Sequence, residues 1–222
     1  MATTNQPLDV NEALNKSEAY FVKNKKLIIG AIVALFVIVG GFFAYSNLVA
    51  KPNKDKANTM LAKGQQYFAQ GKYDEALNGD KAGYIGFLEI AKKYNSTDAG
   101  NLAKLYAGLT YAEKDDVKNA IKFIESFKGQ GDAMISPAAI AALGNCYAKD
   151  GQIDKAIELL KKAADKADNK SLTPIFLVQA AKLLVSQNKL DEAKAIFESV
   201  KTKYATTPEG EAAEKLLQHL AE

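Results

Sequence analysis

Few side chains in this chain of 222 residues could do acid–base, nucleophilic or metal chemistry, and they lie far apart. His219 is the only histidine. Helical spacing puts it beside an apolar stripe, without the positioned partners a proton-transfer mechanism needs. Cys146 is the only cysteine, so one chain can form neither a disulfide framework nor a cysteine metal site. It follows Asn145 in an apolar helical run, with no basic neighbour evident to lower its pKa, and reads as a packed core thiol. Asp115-Asp116 and Asp191-Glu192 fall at hairpin turns or helix starts, where carboxylates complement the positive helix end. Gly129, Gly131 and Asp132 form a loop that matches no phosphate-binding motif. Charge excludes another class. The 29 basic residues are all Lys, and the net charge is only +3. Lys lacks the bidentate fork that reads phosphate or guanine, and nucleic-acid binders concentrate their basic charge. Neither an enzyme, nor a cofactor or metal site, nor a nucleic-acid or small-molecule binder is expected.

What the chain does contain is one phrase written about four times. The clearest copy runs Leu143, Gly144, Tyr147, Gly151, Ala156, Ile157, Leu160, Ala163. Gly108, Tyr111, Ala120 and Ile124 keep the same offsets, as do Gly64, Tyr67, Gly71 and Ala76. A looser copy is Ala181, Leu184, Ala193, Phe197 and Val200. A small residue twelve before another small residue marks where two helices of a hairpin touch. The large residue three after the first fills the gap to the next hairpin. This is the tetratricopeptide (TPR) pattern, with a period of about 34 residues. Such hairpins bury their apolar faces against each other and leave a groove, so the expected function is binding.

The expected fold is an all-α, TPR-type helical-hairpin solenoid with one N-terminal transmembrane helix. The register predicts a groove of first-helix residues: Leu61, Gln65 and Phe68, then Leu102, Leu105 and Leu109. Ala141, Asn145 and Lys149 continue it, and Ile175, Val178, Lys182 and Val185 complete it. This is apolar for a solvent-facing surface. Either a peptide or partner helix lies there, or a neighbouring hairpin or terminal helix already fills part of it. Only Asn145 and Lys149 resemble a clamp for a terminal carboxylate.

From Leu27 to Ala50 no residue is charged. That run exceeds the roughly 20 residues a helix needs to cross the hydrocarbon core. Gly40-Gly41 is tolerable in lipid, and Tyr45 sits where an interfacial aromatic would. The run and the tail before it are both too long for a signal peptide, and Leu48 spoils a cleavage site before Lys51. The expectation is an uncleaved anchor. Lys23, Lys25 and Lys26 before the span form a slightly tighter cluster than Lys51, Lys54 and Lys56 after it. That asymmetry favours a cytoplasmic N-terminus.

The expected domains are a cytoplasmic tail (1–26), the span (27–49), a linker (50–57) broken by Pro52, the repeats (58–205) and a C-terminal capping helix (206–222). Residues 1–12 read as disordered. Asn15 to Lys26 reads either as an amphipathic helix on the membrane surface or as an extension of the span. The first repeat is lengthened: Asn78-Gly79-Asp80 should break its second helix, and a new apolar run, Tyr84 to Ile90, follows. An insertion in a solenoid maps to one face and is either a contact or a harmless longer helix. Ser136-Pro137, Thr173-Pro174 and Thr207-Pro208 each predict an N-cap hydroxyl followed by Pro at the first helical position.

Taken whole, the chain resembles the YfgM-like family of membrane-anchored TPR proteins. The likeness rests on Tyr20-Phe21, Lys23-Asn24-Lys25-Lys26, the span and the hairpins. Leu77-Asn78-Gly79-Asp80 and the run Gly100 to Gly108 resemble its Bacteroidota branch. In such a bacterial setting the sequons at Asn95 and Asn169 mean little. The resemblance implies a single-pass protein of the bacterial inner membrane with a periplasmic repeat domain. It implies an ancillary subunit of the Sec translocon, beside the SecYEG channel and a PpiD-type periplasmic chaperone, meeting client polypeptides as they emerge. It carries over no catalytic residue. Two alternatives stay open: a scaffold of another envelope complex, and a cytosol-facing receptor of reversed topology.

Overall fold

The computed structural model describes Glu18, Tyr20 and residues 22–220. The N-terminal tail and much of the short helix read over Asn15 to Lys26 lie outside the described residues. Every regular element among those described is helical, and the chain divides into two units, Met1–Asn53 and Lys54–Glu222.

In the first unit α1 (Lys25–Tyr45) buries none of its residues. Leu27, Phe36 and Phe42 stand exposed along it. Its helical stretch is long and apolar enough to cross a membrane, and a helix satisfies its backbone without water. A π-helical segment, Ser46–Ala50, comes next, and the Lys51 N–H donates to the Ser46 carbonyl. Pro52 follows at the second position of α2 (Lys51–Ala69). The linker expected over 50–57 is therefore helical from Lys51 on. Proline removes one N–H and crowds the carbonyl four residues back, and the wider π turn immediately before it relieves that crowding.

Four helical pairs make the second unit. They are α2 with α3 (Tyr73–Asn78) and α4 (Gly86–Lys93); α5 (Asp98–Glu113) with α6 (Val117–Ser126); α7 (Ile135–Lys149) with α8 (Ile153–Ala167); and α9 (Thr173–Ser186) with α10 (Leu190–Lys203). A single helix, α11 (Pro208–His219), follows. The first helices bury residues around much of their circumference, Ala99, Ala103, Leu105 and Ala107 on α5 for example. The second helices are one-sided: α6 buries only Ala120 and Ile124. A first helix therefore packs against more than its own partner, while a second helix turns one stripe inward.

The turn inside each pair repeats. Gly71, Asp115, Gly151 and Asn188 all have φ between 58° and 82°, the left-handed region that Gly, Asn and Asp enter most cheaply. In each, the next N–H (Lys72, Asp116, Gln152, Lys189) donates at 2.9 Å to the carbonyl five residues back (Tyr67, Tyr111, Tyr147, Leu184). One edge also carries ion pairs between successive pairs: Lys114 with Asp74, Lys149 with Asp115 at 3.2 Å, and Lys189 with Asp154 at 2.8 Å.

The small residues do what their spacing implies. A Cβ on Gly108 would come 2.9 Å from the Ile124 backbone nitrogen and 3.0 Å from the Ala120 oxygen. A Cβ on Gly64 would overlap the Tyr84 hydroxyl and the Phe87 ring, whose Cζ would lie 2.8 Å away. Both rings follow the break at Gly79, so the lengthened segment completes the first pair. Asp80 holds the break together. It accepts from the Ala82 and Tyr84 N–H groups at 2.8 Å, from the Tyr67 hydroxyl at 2.5 Å and from Lys63 at 2.6 Å.

Helix starts differ from two of the three expected. Thr207 caps α11, accepting from the Gly210 N–H at 3.2 Å. Ser136 and Thr173 are not N-caps; both lie inside their helices and are buried. Asp132 takes the capping role for α7, accepting from the N–H groups of Met134, Ile135 and Ser136. Before α9, Asn169 closes a turn instead, accepting from the Ser171 and Leu172 N–H groups while its own N–H donates to the Thr173 hydroxyl. A side chain three residues ahead of a helix satisfies more orphan donors than a hydroxyl within its first turn. Thr97 adds a cap that sequence reading missed. Its hydroxyl accepts from Gly100 and donates to the Tyr94 carbonyl, as Thr207 does with Gly210 and Tyr204.

Candidate functional site

The first helices α2, α5 and α7 border an open cavity of about 400 Å3. Gln65 comes from α2, and Leu102, Leu105, Tyr106 and Leu109 come from α5. Ile135, Ala138 and Ala139 come from α7, with Met134 just before it and Leu172 from the connection to α9. No charged side chain is among these lining residues. Apolar residues recur on α5 at Leu102, Leu105 and Leu109, which is one helical face. Their partners across the cavity are supplied by the start of α7.

The thirteen residues expected to form one groove are distributed over three cavities, two of which share Leu109, and the core between them. Gln65, Leu102, Leu105 and Leu109 meet in the cavity just described. Asn145 and Lys149 line a smaller one of about 280 Å3 with Leu109, Ala112 and Cys146. Lys182 and Val185 line a third of about 210 Å3 that Leu216, His219 and Leu220 of the terminal segment share. There the closing helix occupies the side a ligand would use. Phe68 stacks edgewise on Tyr106 with centroids 5.9 Å apart. Ile175 packs against the cluster of Leu160, Ala163 and Phe176.

Leu61, Ala141 and Val178 are buried, and Leu105 is only 6 % exposed. Leu105 packs in the cluster that holds Ala120, Ile124, Ala139 and Cys146, so it belongs to the core of the adjoining pair as well as to the cavity wall. Val178 joins Ile157, Ala181 and Phe197. A charge at either position would disrupt the fold and could not report on docking alone. The physical reason is the enclosed character of first helices: positions that face outward on an isolated hairpin are covered by the next one.

Sequence reading missed Met134, Ile135, Ala138 and Leu172. Met134 is 54 % exposed and Ile135 is 46 % exposed. A helix start at Ser136-Pro137 puts Met134 and Ile135 outside the helix. The available signal was Asp132, whose carboxylate is suited to cap a helix that begins three residues on. The Ser136 hydroxyl and the capped N–H groups hold this carboxylate well below the usual range.

The titratable groups serve structure. Asp80 is held well below the ordinary carboxylate range, first by Lys63 and then by the Tyr67 hydroxyl. Lys63 and Tyr67 are raised, each chiefly through its hydrogen bond to Asp80. Burial pushes the Cys146 thiol up, which keeps it a thiol rather than a nucleophilic thiolate. Asp115 is the left-handed turn residue, whereas Asp116 caps α6 through the Asn119 N–H. His219 is exposed. Among the described residues, no three His, Cys, Asp or Glu side chains gather as a metal-binding group.

The family model for subunit 3 of the anaphase-promoting complex (cyclosome) matches residues 113–200, the end of α5 to α10. Two solved structures resemble the chain, each at 15% identity with a TM-score of 0.60. One is a Podosopora anserina protein described as a kinesin light chain with nearly identical TPR-like repeats, covering 75% of this chain and 86% of that one. The other is a point-substituted form of that same protein, at 75% and 85%. No curated protein matches. At this identity the likeness establishes the fold: the chain is built of TPR-like repeats, an architecture suited to protein–protein interaction.

Proposed function

We propose that this protein is a membrane-anchored TPR scaffold that docks protein partners at the periplasmic face of the bacterial inner membrane. In this reading it is an ancillary subunit of the Sec translocon, working beside SecYEG and a PpiD-type chaperone on emerging clients. The observation that carries the docking role is the uncharged cavity between α2, α5 and α7, with Met134 and Ile135 exposed at its edge. Apolar side chains beside a cavity with an uncharged lining are the kind of surface that binding sites use. The anchor is supported by α1, uncharged from Leu27 onward and buried nowhere. The tighter Lys cluster before the apolar run, Lys23, Lys25 and Lys26, supports a cytoplasmic N-terminus, and the family resemblance supports the translocon.

The test is affinity purification of the tagged protein from gently solubilised membranes, read by quantitative mass spectrometry. Translocon subunits and a periplasmic chaperone near stoichiometry are expected. Dominance of another envelope complex, with the translocon at background, would reject the translocon role. Protease protection of the repeats in right-side-out membrane vesicles would reject the periplasmic placement.

A further inference from the structure

Where α6 and α8 flank α7, an open cavity of about 460 Å3 remains. It shares only Ala139 with the cavity between α2, α5 and α7. Ile124 of α6, Phe127 just after it, and Ile140 and Leu143 of α7 make most of it apolar. Phe127, Ile140 and Leu143 keep part of their surface in water. Its rim is tied in place. A Cβ on Gly129 would lie 3.0 Å from the Ser136 Oγ, so the connection from α6 runs directly against α7. The Ser136 hydroxyl accepts from the Gln130 N–H at 2.9 Å. Asn101 of α5 clasps the Lys128 backbone twice, donating to its carbonyl at 2.7 Å and accepting from its N–H at 2.9 Å. A cavity formed in advance lowers the entropy a partner must overcome.

The charge of this cavity lies in its own lining. Lys162 and Lys166 of α8 both line it. Four residues apart on a helix, they are neighbours on one face, with about 5–6 Å between their Cβ atoms. Both are exposed, and among the described residues neither makes an ion pair. Lys161 beside them differs: it meets Glu192 of α10 at 3.8 Å. The nearby carboxylates are engaged elsewhere. Glu125, the one acidic residue of the lining, accepts from the Tyr147 hydroxyl at 2.5 Å, and Lys155 covers that ring at 3.7 Å. Asp132 is taken up by the start of α7, including the Ser136 hydroxyl at 2.6 Å. The lining thus holds two uncommitted positive charges against one committed negative charge. We propose that this cavity docks a peptide segment of a partner protein in which an acidic side chain stands beside a large apolar one. The apolar side chain fits between Phe127, Ile140 and Leu143, and its carboxylate neighbour meets Lys162 and Lys166. The open side suits a segment of a larger partner, since sites for free small molecules bury most of their ligand. The proposal rests on the protein-docking role above and adds a second site, with the chemistry of its partner.

The experiment uses the full chain in zwitterionic-lipid nanodiscs and fluorescent peptides with the same Leu- and Phe-containing centre. One is flanked by Glu and the other by the neutral isostere Gln, and binding is read by anisotropy. The Glu-flanked peptide should bind at least about tenfold more tightly, with the gap narrowing as salt rises. Exchanging its apolar centre for Ser should weaken binding by about tenfold or more. Lys162→Gln with Lys166→Gln should abolish the preference for Glu at an unchanged melting temperature, since both side chains are exposed. Lys161→Gln should leave the preference intact. Equal binding of the Glu and Gln peptides, undiminished binding of the Ser-centred peptide, or a preference that survives in the Lys162→Gln, Lys166→Gln form would overturn the proposal. So would an equal loss from Lys161→Gln, which would mark the attraction as diffuse. Displacement of the peptide by anionic vesicles but not by excess unlabelled peptide would assign the lysines to a lipid surface and also overturn it. The titration judges this site alone. Recovery of translocon subunits by the wild-type chain judges the translocon role, so either can fail while the other stands.

Discussion

In the third pair, Gly144 of α7 lies against Ala156, Leu159 and Leu160, all on the unbroken helix α8. In the first pair, Gly64 of α2 lies against Tyr84 and Phe87, which the chain reaches only after α3 has ended and the chain has turned at Gly79. The approach is of the same kind, but the materials differ. What the architecture requires is a large, fixed partner opposite the small residue, not continuity of the second helix. Where continuity is lost, Asp80 replaces it, collecting two backbone N–H groups, a tyrosine hydroxyl and a lysine. The third pair closes by helix geometry alone, whereas the first closes through a polar hub with Tyr84 and Phe87 beneath it.

The sharpest way to separate the two pairs is Phe87→Ala. Phe87 is completely buried, and its removal should cost about 3–5 kcal/mol. Hydrogen exchange should show the loss in α2 to α5, with α8 to α10 protected, because solenoid repeats couple mainly to their neighbours. Uniform loss along the stack would mean the pairs are not independent enough to compare.

Next in size is a matched pair of glycine substitutions. A Cβ on Gly64 would overlap buried ring atoms, whereas one on Gly144 meets its neighbours at 3.2 to 3.3 Å. Gly64→Ala should cost about 1–3 kcal/mol in denaturant melts by overpacking. Gly144→Ala should fall within about 1 kcal/mol of neutral, since alanine's helix propensity offsets a small shift. Equal costs would erase the distinction between the pairs.

The smallest effect is a pH dependence. The folded Asp80 carboxyl lies below its unfolded value of about 3.9. Its contribution is therefore complete above that value and is lost as pH falls further. The stability gap between the wild type and Asp80→Asn should be full at neutral pH and shrink below about pH 4. A gap that stays constant through the acid range would remove Asp80 from its role as hub.

These contrasts also explain how far the sequence could be read. The pairs were legible because Gly64, Gly108 and Gly144 stand twelve residues before Ala76, Ala120 and Ala156, and that spacing is a local consequence of two helices touching. The break at Gly79 was legible for the same reason. That the break builds core was not, because Tyr84 meets Gly64 across the chain. The start of α7 was hidden because Asp132 caps from outside the helix while Ser136-Pro137 imitates a start. The groove was the least legible. Leu105 and Val178 look outward on a helical wheel, and only the stacking of the next pair shows them covered. Part of the cavity was within reach, since Leu102, Leu105 and Leu109 share a face; its far wall depended on the misplaced start of α7.

The ion pairs of Lys114 with Asp74, Lys149 with Asp115 and Lys189 with Asp154 join successive pairs along one edge, and at least one side chain of each is largely in water. The helix faces between pairs are joined by apolar burial instead. Salt screens the first kind of tie and leaves the second intact. The edge that carries these charges is therefore the side of the stack whose ties loosen as ionic strength rises, while the apolar contacts keep the register of the pairs unchanged.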